Sequence, residues 1–411
     1  MYLCIEIIHT ASDNSIDMKQ LIIKNFGPIK EANLDLDRIA VIIGMQSSGK
    51  SSILKMACYC SWVEKRIQLA QSDKMFQEKG AFQEFFISYY GLKGYFLPET
   101  TIDYISPYLS FSYKNELFSF YKKPNIWNYR RPKIQYIPSE RNIASFIPKW
   151  KKIPVRDGLL DFLSEWDLAR QTKTLEENIL QLGISYSYDN SNDTDNIVTA
   201  DGRSLPLSDG SSGLQSLIPL YLLIDHLHSE QNNSSIKKEL TLEQRNERDF
   251  LISTLYHKIS PLTFHFSGGT LPMVEPNVEL VLDGKTYKFH NSKESSLFYK
   301  RFTQFLYTDH CELFIEEPEQ NLYPPTQSQL VDWICEKVFD SKRQNTLLIS
   351  THSPYILNEM CKINRKGMGF YFTHHDEFNP ALYSLKKLTE EEVNEIYTSG
   401  TDLFFNSAAF V

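Results

Sequence analysis

Gly44, Gly49, Lys50 and Ser51 stand in the spacing GxxxxGK[ST] within the stretch GMQSSGKSS, and this combination of residues grips phosphate. The glycines let main-chain amides approach phosphate oxygens, and a helix starting there adds partial positive charge. Lys50 then reaches the outer phosphates and Ser51 supplies an oxygen to Mg2+. Gln46, Ser47, Ser48 and Ser52 complete the loop as candidate nucleotide contacts, so ATP and Mg2+ are the expected ligands.

Three distant stretches hold the other groups that phosphoryl chemistry needs. In CELFIEEPEQNLYPPTQ, residues 311–327, an apolar run ends in Glu316 and Glu317. Glu316 suits a water-mediated Mg2+ ligand, and Glu317 suits the group that orients and polarises the attacking water. In TLLISTHSPYIL, residues 346–357, another apolar run ends at Thr351 and His352. A histidine at the end of a strand can sense a γ-phosphate, although an isolated one is more often structural. In LSDGSSGLQSLIPLYLLIDHL, residues 207–227, a Gly/Ser turn opens an apolar helix and makes a second anion site. One chain needs only one phosphate loop, so this second cap is expected to close on the γ-phosphate bound by another copy.

These groups need a frame. Residues 20–43 alternate or run apolar on either side of a Gly/Pro turn, which predicts strand, turn and strand before Gly44. The stretch ILKMACYCSWVEKRIQLA that follows the loop predicts a helix, completing the strand, loop and helix order. Cys58 and Cys60 fall on that helix, two positions apart and pointing to different faces, which favours packed thiols over a metal site.

The four stretches together resemble the ATPase heads of ABC proteins and, more narrowly, the OLD-type ATPases of prokaryotic defence systems, on the EEPE and STHSP elements. The resemblance implies an α/β P-loop head with a mixed central sheet flanked by helices. It makes Ser212, Gly213 and Gln215 the ABC signature, with Leu214 where a second glycine is usual and Glu316 where aspartate is usual. It makes Glu319 to Tyr323 the D-loop and places YIPSERN near the nucleotide, with Arg141 a candidate contact to ATP or to the partner's signature and Gln135 a candidate Q-loop glutamine. It also implies a homodimer or higher homo-oligomer closed by ATP.

The head is expected in residues 18–60, 200–225 and 308–411, after an N-terminal extension at 1–17 that Met18 makes dispensable. Residues 61–199 form an inserted lobe and 226–307 a second insertion, helical and then a hairpin around Asp283 and Gly284. Neither carries sustained heptads, so no long coiled-coil arm is expected. The stretch after His352 is too short for the TOPRIM nuclease domain of OLD nucleases, so any cutting falls to another chain. Within it, Thr389 and Glu392 are spaced as a capping box.

The 411 residues, 42% apolar, supply a sizeable core, and six cysteines without paired metal spacing fit reduced thiols. No signal peptide or membrane span is legible, so a cytoplasmic protein with no membrane partner is expected. The net charge of −8 hides one basic aromatic segment, residues 120–156, with ten Lys/Arg against Glu140 alone and with Trp127, Tyr129, Tyr136, Phe146 and Trp150 interleaved. It is a candidate nucleic-acid surface, or else a packed or partner-binding face.

Three functions fit. The first is the sensor ATPase of an antiphage complex that controls a separately encoded effector, a nuclease, similar to PtuA of Septu and retron systems or AriA of PARIS. The second is a RecF-like ATPase of DNA repair, and the third is a nucleotide-dependent scaffold with slow turnover.

Overall fold

The structure, a computed structural model, describes residues 18–146, 155–172, 178–230, 242–260, 278–282, 284–339 and 343–399. The expected extension at 1–17, Asp283, and the part of the basic segment at 147–154 with Trp150 lie outside them.

The chain opens with β1 (Lys19–Phe26), β2 (Ile29–Leu36) and β3 (Ile39–Gly44), then α1 (Lys50–Ala70) and α2 (Ala81–Tyr90). The alternating stretch before Gly44 is therefore itself a strand, giving three strands where two were expected. Next come β4 (Phe96–Ile105), β5 (Leu109–Lys114), β6 (Leu117–Lys122), β7 (Pro132–Ile137), the short α3 (Ile143–Phe146) and α4 (Asp157–Thr172). A small sheet of β8 (Ile184–Asp189), β9 (Thr194–Thr199) and β10 (Ser204–Pro206) precedes α5 (Ser212–Glu230) and α6 (Leu242–Ile259). The hairpin β11 (Val278–Leu282) and β12 (Lys285–Phe289) leads to α7 (Ser292–Leu306). The chain then runs through β13 (His310–Glu316), α8 (Pro324–Phe339), β14 (Thr346–Thr351), α9 (Pro354–Ile363), β15 (Met368–His375), β16 (Tyr383–Lys387) and α10 (Glu390–Ser399).

Eleven strands form one mixed sheet in the order β6-β5-β4-β1-β2-β16-β15-β3-β14-β13-β7, with helices on both faces, the α/β head expected from the motifs. β15, β3, β14, β13 and β7 run parallel. All six β3 residues are buried: Ile39, Val41 and Ile43 pack into the core shared with α5, α8 and α9, while Ala40 and Ile42 pack under α1. Burial on both faces is why this strand reads as a continuous apolar run.

The expected inserted lobe at 61–199 does not stand apart. Its strands β4 to β6 extend one edge of the central sheet through β1, and β7 forms the opposite edge beside β13. The β5–β6 turn uses Asn115 and Glu116, both with positive φ, as a two-residue hairpin of that twist requires. The second insertion is helix, hairpin and a further amphipathic helix, α7, around its own aromatic core. Cys58 and Cys60 are both buried in the core under α1. The longest helix among the described residues is α1, at 21 residues. None of the described helices is long and apolar enough to cross a membrane. Thr389 and Glu392 do form a capping box, with reciprocal bonds of 2.7 and 3.2 Å at the start of α10.

A buried ion cluster ties three of these elements. Lys19 of β1 lies 3.0 Å from Glu64 of α1 and 2.6 Å from Glu312 of β13, with both carboxylates almost wholly buried. Burial alone would raise the Glu312 carboxyl, but Lys19 and His310 outweigh it and hold the group well below the usual carboxylate range. Its contribution to stability is therefore intact at neutral pH and is lost progressively as pH falls below the ordinary carboxylate range into strong acid. Lys19→Met should cost about 3–5 kcal/mol, because it strands two buried carboxylates. Urea unfolding at pH 7 checks this, and an unchanged midpoint would contradict it.

Candidate functional site

The phosphate loop leaves the carboxyl end of β3 and enters α1. Gly44 has φ +150°, and a methyl group there would collide with the Thr373 hydroxyl. Gly49 caps α1 at φ +86°, where a methyl group would strike Ile29. Only glycine fits either position. Met45, Gln46 and Ser47 are exposed at the tip, with Ser47 at φ +64°.

The expected loop contacts divide into two groups. Gln46, Ser47 and the half-buried Ser51 stand where a nucleotide can reach them. Ser48 is buried, its hydroxyl bonded to the Met45 carbonyl at 2.7 Å and to Thr373 at 2.6 Å, so its side chain braces the loop rather than meeting phosphate. Ser52 is also buried and can offer only its main chain. Lys50 folds back and donates to the Gly44 carbonyl at 2.9 Å and the Met45 carbonyl at 2.6 Å. Burial lowers the Lys50 ammonium to about 8, although Glu317 and Glu319 oppose the shift.

β13 and β14 deliver their groups to the same end of the sheet as β3. Glu317 has φ +42° and is held by its amide on the Ser350 carbonyl at 2.8 Å. Its carboxylate lies 3.3 Å from His352 Nε2, and this hydrogen bond is the main reason the Glu317 carboxyl titrates below its ordinary range. Glu317 is thus an oriented, half-buried anion, the chemistry that polarising a water demands.

Glu316 is buried, and burial raises its carboxyl against the pull of Lys55, whose Nζ is 3.4 Å from Oε1. Glu316 Oε1 has no hydrogen-bond partner among the described residues, and Ser139 Oγ stands at 3.5 Å from Oε2. A buried carboxylate oxygen without a hydrogen bond, faced by the Lys55 ammonium near the phosphate loop, is compatible with the expected Mg2+ site, for which Ser51 is the other candidate ligand of this chain.

At the expected signature, Ser211 just before α5 and Ser212 at its start are exposed and Gly213 is half-buried. Gly213 must stay small, since a methyl group there would stand 2.9 Å from the Asn321 carbonyl oxygen. Gln215 corrects the expectation. Its side-chain amide donates to the Ser208 and Gly210 carbonyls at 2.8 and 3.1 Å, which braces the loop before the helix instead of facing outward.

Arg141 is corrected as well. It is fully buried, and its donors all end on main-chain carbonyls, so it is not placed to hold ATP or a partner's signature. Gln135 sits in the middle of β7, buried, donating to the Tyr136 carbonyl at 3.0 Å, away from the strand end a Q-loop residue would occupy.

Thr373 and Lys55 escaped the sequence reading, whereas Ser139 and Glu319 fall within the YIPSERN stretch and the expected D-loop without being singled out there as site groups. Glu319 Oε1 accepts the His352 amide at 2.7 Å, and burial raises its carboxyl. Only the position of Lys55, one helical turn after Ser51, carries a sequence signal.

The described cations of the basic segment are tied down within the chain. Each of its seven described cations is engaged within the chain: Lys122, Lys123, Arg131, Arg141 and Arg156 on carbonyls, Arg130 on Asp309, and Lys133 on Glu165. Tyr129 and Tyr136 are buried, and Lys258 lies 4.4 Å above the Trp127 ring. Much of the described part is packed against the rest of the chain, with Tyr121 and Phe146 left exposed.

Two segments of the chain match family models. Residues 18–58 match the AAA ATPase domain, and residues 312–358 match an AAA domain described as putative AbiEii toxin, Type IV TA system. The first spans the phosphate loop; the second spans Glu316, Glu317 and His352. No curated protein matches the chain in sequence. Similar solved structures include an SMC head domain from Thermotoga maritima, 11% identical with a TM-score of 0.40 over 91% of this chain and 100% of that one. An ATP-binding cassette of an ABC transporter in its ADP conformation is 12% identical, with a TM-score of 0.29 over 95% and 99% of the two chains. The recombination mediator protein RecF is 10% identical, at 0.29 over 90% and 98%.

Lys50→Ala should abolish ATP binding, and ordinary affinity by calorimetry would remove Lys50 from the site. In the unaltered chain, phosphate selects the ammonium form of a group that sits near 8 when free. ATP affinity should therefore hold below that pH and fall above it, approaching about tenfold per pH unit with uptake of one proton. Flat affinity between pH 7 and 9.5 would contradict the assignment.

Proposed function

We propose that this chain is an ATPase whose two active sites are each completed by a second copy, and that it serves as the regulatory subunit of a prokaryotic antiphage complex controlling a separately encoded nuclease. One observation carries the catalytic part. Lys50, Glu317 and His352 converge at the ends of three parallel strands, while the Ser-Gly tip of α5 is left exposed on the same molecule. The loop can hold a triphosphate on three sides, and a helix tip carrying free amides suits the fourth.

In this reading Lys50 leaves its loop carbonyls for the outer phosphates, Glu317 accepts a proton from the attacking water, and His352 holds Glu317 and meets the γ-phosphate. Ser51 and Glu316 hold Mg2+, which offsets phosphate charge when bound. Support for the defence setting comes from the EEPE and STHSP elements and from the family description naming a putative toxin of a type IV system. ATP joins two heads in one state and frees them in the other, so nucleotide state sets the geometry offered to the effector.

Glu317→Gln should bind Mg-ATP, lower turnover by at least about a hundredfold and accumulate closed dimers in light scattering. Wild-type turnover would place the base elsewhere. A strictly monomeric variant at saturating Mg-ATP, with its partner present, would remove the composite site. Co-purification of the chain with a nuclease from its own operon tests the regulatory role, whereas steep salt-dependent duplex binding without such a partner would favour the DNA-repair reading.

A further inference from the structure

Arg141 does something other than bind nucleotide. It sits in a short 3-10 turn, Ser139–Asn142, just beyond β7. A guanidinium has five N–H donors in a rigid fork. Here five main-chain carbonyls meet them: Pro138 at 3.2 Å, Glu316 at 2.9 Å, Glu317 at 2.7 Å, Pro318 at 3.2 Å and Ser216 at 3.2 Å.

Three of those carbonyls are consecutive and belong to the turn that aims both carboxylates. The Glu317 backbone stands at φ +42°, which a non-glycine residue holds only when its surroundings impose it. The fifth carbonyl belongs to the second turn of α5, whose first turn faces outward. A second tie joins the same two elements: Asn321 Nδ2 donates to Ser216 Oγ at 3.0 Å, and Gly213 packs against the Asn321 carbonyl. Catalytic turn and helix tip are thus one mechanical unit.

We propose that Arg141 is a positioning residue that couples the two ATP sites of the dimer. This rests on the reading of composite sites given above. In such a dimer the tip of α5 closes on the partner's triphosphate, while Glu317 of the same protomer serves its own. Any shift of α5 on closure is passed by the clamp to the Glu317 main chain. The site that is capped first therefore sets the catalytic turn of the other. A lysine keeps the charge but has three donors on one atom and cannot span carbonyls of both elements.

The test is steady-state hydrolysis against ATP concentration for the unaltered chain, Arg141→Lys and Ser216→Ala, with ATP affinity measured separately by calorimetry. Ser216→Ala removes only the Asn321 tie and places a good helix former in α5, so it reports on coupling even if Arg141→Lys does not fold. The unaltered chain should show a Hill coefficient above 1, approaching its limit of about 2 for two sites. Arg141→Lys should fall toward 1 and lose roughly tenfold or more in kcat while ATP affinity stays within about twofold. Ser216→Ala should lower the Hill coefficient in the same direction.

A non-cooperative unaltered chain overturns the coupling. So does cooperativity unchanged in Ser216→Ala and, where it folds, Arg141→Lys. Loss of ATP affinity in Arg141→Lys would make Arg141 a ligand and also overturn it. An unaltered chain that neither hydrolyses ATP nor dimerises with it would remove the composite-site reading itself, a result distinct from a cooperative dimer that ignores both substitutions.

Discussion

The site depends on register. Thr351 of β14 pairs with Ile43 of β3, and Glu316 of β13 pairs with Ser350 of β14, so Gly44, His352 and Glu317 leave three parallel strands at nearly the same level. A slip of one residue would move a strand by about 3.3 Å and turn its side chains to the other face. The core forbids that slip. β3 fills two different hydrophobic cores with alternate residues, and either one would be broken if the strand moved. The Glu317 amide on the Ser350 carbonyl pins the last step, beyond the end of β13.

At that edge the chemistry is held largely by main-chain groups, which buried polar side chains keep in place. Thr373 and Ser48 shape the phosphate loop; Ser353, next to His352, caps α9 through the Tyr355 and Ile356 amides. Lys50 illustrates the energetics. Two loop carbonyls already stand in for water around its ammonium, so taking up a triphosphate exchanges one set of oxygens for another. The carboxylates Glu316, Glu317 and Glu319 share this space with Lys50, Lys55 and Arg141. Their titration moves in different directions because His352 compensates Glu317, whereas burial dominates at Glu316 and Glu319.

How legible each part is in the sequence depends on how local its cause is. The phosphate loop, the acidic turn, the His352 strand and the Thr389 box are each set by a few adjacent residues, and the structure places them where spacing predicts. The central sheet is not local. β15 and β16 lie between β3 and β2 although they come last in the chain, so no nearby pattern announces that Thr373 will touch Ser48. The strands of the first insertion carry the same alternation whether they form a separate lobe or prolong an existing edge. Only pairing with β1 decides between these, and pairing is a long-range choice.

Arg141 and the basic segment show the other limit. The seven described cations of that stretch resemble a surface in the sequence because their partners are invisible nearby: Asp309 and Glu165 come from remote elements, and main-chain carbonyls leave no trace in composition. Burying a guanidinium is costly unless every donor is met, and that cost is the informative quantity. A carboxylate partner would satisfy two donors and leave the cation free to swing with one side chain. Five carbonyls from three segments satisfy them all only while those segments keep their relative positions. The same arrangement that makes burial tolerable therefore fixes the catalytic turn to the start of α5, and a change of geometry at one end must be accommodated at the other.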